Sequence, residues 1–194
     1  MATPLTGGAA AVVRQYLRQV GFVNPSAALI KAVLIHGATD LFPGQYPLWP
    51  AAEFKTPRPN VNEGFGRVNV DSSTNIIKDK LIDDTVGVKT SEVRTYSVKV
   101  EAGKLTRATL TYTDHPASAG TAQALVNDLD LKITDDQGRS YFPNHLNGPD
   151  EVNNTEMVEF TAEHSGLYKV SVTGRNVPKG RDETSAQPYA LVLP

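Results

Sequence analysis

From about residue 81 onward, apolar side chains alternate with polar ones in short runs, and this period of two constrains the fold more than any other feature. Tyr96, Val98 and Val100 alternate with Ser97 and Lys99. Ala108, Leu110 and Tyr112 alternate with Thr109, Thr111 and Thr113. The same pattern recurs at Leu129, Leu131 and Ile133, at Val158 and Phe160, and at Tyr168, Val170 and Val172. Each run predicts a strand with one buried face and one wet face. Turn clusters separate them: Glu101-Ala102-Gly103, Asp135-Asp136-Gln137-Gly138, His164-Ser165-Gly166 and Pro178-Lys179-Gly180. Further strands at 81–88, 140–142 and 189–193 bring the expected total to about eight. The count and spacing predict a jelly-roll-like sandwich, although a fibronectin-like sandwich would give the same pattern.

The N-terminal part has a different period. Thr3 is a candidate cap and Pro4 suits a first helical position. Val12, Val13, Tyr16, Leu17 and Val20 then carry a helix that Gly21 breaks. Glycine costs about 1 kcal/mol against alanine inside a helix, so Gly7 and Gly8 imply a second backbone packed close by. Asn24 and Pro25 predict the start of a second helix through Ile35, with Gly37 as a left-handed cap. That helix is apolar on nearly every side, the signature of burial on nearly every side.

Residues 40–67 hold Pro43, Pro47, Pro50, Pro57 and Pro59, which leave no helix or strand period intact. Trp49, the sole tryptophan, argues for partial docking of this segment. Asp71-Ser72-Ser73 predict a cap for a short helix running to Ile76 and Ile77. The expected architecture is therefore α+β, with residues 1–71 carrying the helices and the proline-rich loop, and 72–194 the sandwich.

Three sequence features carry a family resemblance. Met1-Ala2-Thr3-Pro4 resembles the end of the Gly-Thr-Ser-Met-Ala-Thr-Pro motif of subtilisin-like serine proteases. Gly64-Phe65-Gly66-Arg67-Val68-Asn69 is similar to the Gly-Tyr-Gly-x-Val-Asn/Asp signature near the close of subtilase catalytic domains, with Phe65 in place of tyrosine. Residues 125–131 (Leu-Val-Asn-Asp-Leu-Asp-Leu), Asn153-Asn154 with Glu156, and Asn176-Val177-Pro178 resemble the jelly-roll, P-domain-like module that follows the catalytic domain in some alkaline subtilases.

The resemblance implies that 1–71 is the C-terminal remnant of a subtilase α/β catalytic domain and 72–194 its accessory sandwich. It places the nucleophilic serine immediately before Met1, with Met1, Ala2, Thr3 and Pro4 beside the active site. No catalytic residue is then expected within the chain, which is predicted to be inactive alone. The implied partners are the rest of the catalytic domain and a protein or peptide substrate, and the implied setting is extracellular. Helices shorn of their sheet are expected to dock on the sandwich or to pair with another copy.

The residues offer no triad of their own. His36 sits at a helix end, where an imidazole serves as a C-terminal donor. His115 and His164 fall in turns, and His145 lies in a polar loop. No serine follows the Gly-x-Ser-x-Gly elbow pattern, and Gly64-Phe65-Gly66 lacks the third glycine of a dinucleotide site. The chain has no cysteine, which removes thiol catalysis and thiolate metal sites. A net charge of −2 gives no nucleic-acid footprint, and no apolar run approaches a membrane span.

Calcium is the one implied cofactor. Asp128 and Asp130 project from one face of a strand, with Asp114 expected at the end of the preceding one, and calcium takes carboxylate oxygens. Asp135-Asp136 reads as turn chemistry, and residues 175–183 as a solvated loop. Asn153-Asn154-Thr155 is a formal glycosylation sequon that reads as a chance match. The alternative to a protease part is a non-catalytic sandwich binding protein or glycan. Tyr96, Tyr112, Tyr168 and Tyr189 fall on inward positions, which speaks against an exposed aromatic platform for sugars.

Overall fold

The computed structural model describes residues 2–46, 53–180 and 185–194; Met1, Trp49 and the end of the 175–183 loop lie outside the described residues. Three α-helices precede eight strands: α1 (Ala2–Gln19), α2 (Ala27–Gly37) and α3 (Val70–Thr74), then β1 (Leu81–Val88), β2 (Val93–Val100), β3 (Leu105–Thr111), β4 (Asp128–Thr134), β5 (Ser140–Tyr141), β6 (Thr155–Thr161), β7 (Gly166–Asn176) and β8 (Gln187–Val192). A 3₁₀ turn, Lys78–Lys80, leads into β1.

The strands form two four-stranded sheets, ordered β1-β8-β3-β6 and β2-β7-β4-β5. The first strand pairs antiparallel with the eighth, the second with the seventh, the third with the sixth and the fourth with the fifth. This nesting is what one long antiparallel hairpin gives when rolled up, and it decides for the jelly roll over the fibronectin-like arrangement. The inward residues of both sheets make one core, including Leu110, Tyr112, Leu129, Leu131, Ile133, Tyr168, Val170, Val172, Tyr189 and Leu191.

A second core lies on the outside of the β1-β8-β3-β6 sheet. There Val13 and Leu17 of α1 and Leu29, Ala32 and Val33 of α2 pack with Ile76, Leu81, Ala190 and Val192. The helices thus dock on the sandwich. The outer face of β3 is accordingly dry at its C-terminal end: Thr109 and Thr111 are fully buried, where the alternation predicts a wet face. Their hydroxyls are satisfied by the helix. Thr111 donates to the Ala28 carbonyl at 2.7 Å, and Thr109 Oγ1 lies 3.1 Å from His36 Nδ1. β8 is buried on both faces, which accounts for the unbroken apolar run 189–193.

The helix ends differ from expectation in instructive ways. α1 is already helical at Ala2, so Thr3 and Pro4 occupy the first turn rather than a cap and the position after it. Proline is tolerated there because first-turn amides have no intrahelical acceptor. Its C-terminus closes as a Schellman motif. Gly21 takes φ +106°, Phe22 N–H donates to Leu17 O and Gly21 N–H to Arg18 O. α2 is capped by Ser26, whose Oγ accepts from Leu29 N–H at 2.9 Å, and not by Asn24. Ser26 N–H in turn donates to Asp83 Oδ2, which fixes the helix start to β1.

Gly37 belongs to α2 and has no left-handed φ. A methyl at that position would stand 2.4 Å from Ser73 Oγ and 2.7 Å from its backbone nitrogen, so glycine is there to let α3 approach. α3 is capped by Asn69, not by the 71–73 triplet, and it ends at Thr74. The described part of 40–67 is irregular, as expected, and is held by an antiparallel bridge between Thr39 and Arg67.

Candidate functional site

The residues that the subtilase resemblance places nearest the chemistry lie at the open start of α1. Ala2, Thr3 and Pro4 are exposed, and Leu5 is 76% exposed. Only Ala9, Val13 and Leu17 of this helix are buried, and Val13 and Leu17 join the core that α2 shares with the sheet. A methyl added at Gly7 or Gly8 would meet nothing within 4 Å. Among the described residues no packed backbone explains those glycines.

The histidines do not assemble a triad. His36 is half-buried, and its pKa is pulled down to about 3, first by desolvation and then by the charges of Arg107, Lys80 and Arg58. It is a neutral ring bonded to Thr109. His115 Nδ1 contacts the Pro116 carbonyl and His145 Nε2 the Arg58 carbonyl, while His164 is an exposed turn residue whose carbonyl accepts from Tyr168. Among the described residues no histidine ring is bonded to a serine or a carboxylate.

The fold assembles two charged clusters. The first joins the proline-rich loop, α2 and the sandwich. Arg107 on β3 stands opposite Glu159 on β6 and bonds to it through Nε. Arg58, with its side chain 1% exposed, reaches the same Glu159 oxygen at 2.8 Å. Both arginines also donate to the carbonyl end of α2, Arg107 to His36 O and Arg58 to Ala38 O, where positive charge complements the helix dipole.

The second cluster contains the predicted aspartates. Asp128 and Asp130 do share a face of β4, and Arg175 of β7 lies 3.9 Å from each while also pairing with Glu151. Asp114 is separate from them in role. Its Oδ1 accepts from His115 and Asn127 N–H and its Oδ2 from Val126 N–H, so it clamps the loop entering β4. Asn127 of the same motif is wholly buried and bonds the Lys179 main chain and Gln187, tying that loop to the one before β8.

The acid missed by residue type is Glu156. It is fully buried on β6, and its Oε2 accepts the Leu131 amide at 2.6 Å, a position that the two-residue β5 leaves unpaired. Its place beside Met157 and Val158 in an otherwise dry stretch was the available signal. Burial raises its pKa well above the usual carboxylate range, with Asp130, Asp150 and Asp128 adding to the effect. Asp130 is pushed up to about 6, first by burial and then by Asp128, against the pull of Arg175. Asp128 rises too, chiefly through burial.

One buried oxygen each of Asp128, Asp130 and Glu156 has no hydrogen-bond partner. Orphaned carboxylate oxygens are the donors that calcium takes. The arrangement falls short of a complete cage: among the described residues no three His, Cys, Asp or Glu side chains gather as metal ligands, and Arg175 serves as the local cation.

No family model matches the chain. It is similar to the Dictyostelium discoideum serine protease/ABC transporter B family protein tagD, at 24% identity over an alignment of 244 positions that covers 93% of this chain. The chain spans only 13% of that protein's length. Among solved structures, a crystal structure of a Sulfurospirillum deleyianum protein aligns with 59% of this chain and 96% of its own, at a TM-score of 0.32 and 9% identity. By sequence, therefore, the chain is similar over nearly its whole length to a small portion of a far longer protein that carries serine protease in its name.

Proposed function

We propose that this chain is the C-terminal part of a secreted subtilisin-like serine endopeptidase, with residues 1–71 belonging to the catalytic domain and 72–194 forming its accessory jelly roll. The observation that carries this reading is the single alignment to a protease-named protein that runs through helices and sandwich alike. The bare glycine face of α1 supports it, because a helix with Gly7, Gly8 and Leu5 exposed is built to be covered. Under this reading the sandwich braces the catalytic part by holding α1 and α2, and the chain alone hydrolyses no peptide.

A serine-directed fluorophosphonate tests the reading. The chain alone should remain unlabelled, whereas the chain extended by its natural upstream sequence should be labelled at a serine directly before Met1. Labelling abolished by mutating a serine within 1–194 would overturn the proposal. So would an upstream sequence with no serine at that position.

The orphaned oxygens favour a second element of the same reading, a calcium ion taken by Asp128 and Asp130 to stabilise the sandwich. Millimolar calcium should raise the melting temperature over that in EGTA, and Asp128→Asn should remove the difference. Equal melting temperatures in calcium and EGTA would remove calcium from the account.

A further inference from the structure

The C-terminal end of α2, helix α3 with the segment after it, and the outer faces of β3 and β6 border an open pocket of about 760 Å³. Its charged lining is Arg58, Arg107, Lys80, Asp40 and Glu159. Glu159 is already engaged by cations, whereas Asp40 makes a backbone bond and offsets part of the Arg107 charge, so three cations face two acids. Glu159 Oε2 serves both arginines, and Asp40 Oδ1 accepts the Phe42 amide at 2.9 Å. Lys80 has no ion-pair partner among the described residues. Arg107 uses Nε and Nη1 on Glu159 and His36 O, which leaves Nη2 without a protein acceptor among the described residues. Arg58 Nε is buried with no acceptor among the described residues.

The potential inside the pocket follows from that imbalance. His36, which also lines it, is held neutral first by burial and then by the charges of Arg107, Lys80 and Arg58. The carbonyl end of α2 would ordinarily repel an anion, but both arginines already cover it. The remaining walls are of another kind. Ile77 and Leu105 are 60% and 58% exposed, two large aliphatic side chains lining the same concavity as Lys80 and the open Arg107 donor. Single exposed apolar residues are ordinary on a protein surface. Two of them in one pocket with unpaired cationic donors match a ligand with two chemical halves.

We propose that this pocket binds an organic carboxylate carrying an apolar body. The carboxylate meets Lys80 Nζ and Arg107 Nη2, and the body lies on Ile77 and Leu105. A bare inorganic anion would leave the aliphatic walls unused, and a neutral apolar molecule would leave the cationic donors unpaired. The proposal does not rest on the proteolytic reading: although His36, Asp40 and Arg58 lie in the part assigned to the catalytic domain, the contacts it invokes are Ile77, Lys80, Leu105 and Arg107, all within 72–194.

Titration calorimetry with 4-phenylbutyrate, 4-phenylbutyramide and acetate tests both halves. The acid should bind the whole chain at least tenfold more tightly than either the amide or acetate. Lys80→Gln and Leu105→Ser should each weaken it about fivefold or more, with the parent melting temperature kept because neither side chain is in a core. No binding of the acid at millimolar concentration overturns the proposal, as does equal binding of the amide. Binding of acetate as strong as that of the acid overturns the apolar half, and indifference to Lys80→Gln overturns the placement.

Discussion

Asp130 and Glu159 show how one carboxylate can oppose the fold while another holds it together. The Asp130 pKa of about 6 in the folded chain exceeds that of an unfolded aspartate near 4. The folded state therefore binds this proton more tightly. The stability gained from protonation is fully present below about pH 4 and is lost as pH rises through about 6. In EGTA the melting temperature should accordingly fall between pH 5 and pH 7.5. Asp130→Asn should raise it by roughly 1–3 °C at pH 7.5 and flatten the dependence, as read by circular dichroism. Glu159 is the reverse case, because two arginines depend on it. Glu159→Gln leaves the Arg58 guanidinium buried without a counter-charge and should destabilise by about 3 kcal/mol in urea titrations.

At the scale of the element, two glycine sites in neighbouring helices should respond with opposite sign. Gly37→Ala drives a methyl into the backbone of α3 and should cost about 1–3 kcal/mol, since Ser73 N and Cα cannot yield without separating the helices. Gly8→Ala faces open space and should stabilise the isolated chain by up to about 1 kcal/mol through helix propensity. The same substitution in a longer protease chain should instead reduce fluorophosphonate labelling if a second backbone packs on that face. Comparing Gly8→Ala in the two settings by urea unfolding and by labelling separates propensity from packing. An α1 that gains nothing from alanine in isolation would mean that its glycine face is already covered.

In the whole molecule, what the sequence made legible was whatever repeats. The alternation of Leu129, Leu131 and Ile133 with Asp130 and Lys132 marks β4 because the side-chain period of a strand is two. The unbroken run at 189–193 marks a strand with both faces covered. What stayed hidden depends on a third layer. Thr109 and Thr111 read as wet, and only the arrival of α2 turns them into buried partners of Ala28 and His36. Arg58 sits in a proline-rich segment with no period, and its partner Glu159 lies 101 residues away. The start of α1 resembles a family motif in sequence, yet its local geometry supplies no chemistry by itself. Because β8 closes the sandwich core and seats the helices together, deleting residues 187–194 should abolish both at once. Urea titration of that truncated chain should show no cooperative transition, by fluorescence or by far-UV dichroism.

The nested pairing of the strands also has a mechanical consequence. Leu81, where β1 begins, lies directly across from Val192, where β8 ends. A load carried into the sandwich through α2 and out beyond β8 pulls the two strands apart from the same end, so their hydrogen bonds open in succession instead of sharing the strain. The jelly roll would thus yield at low force along this axis, and the first bonds to part would be those beneath the helices that it holds.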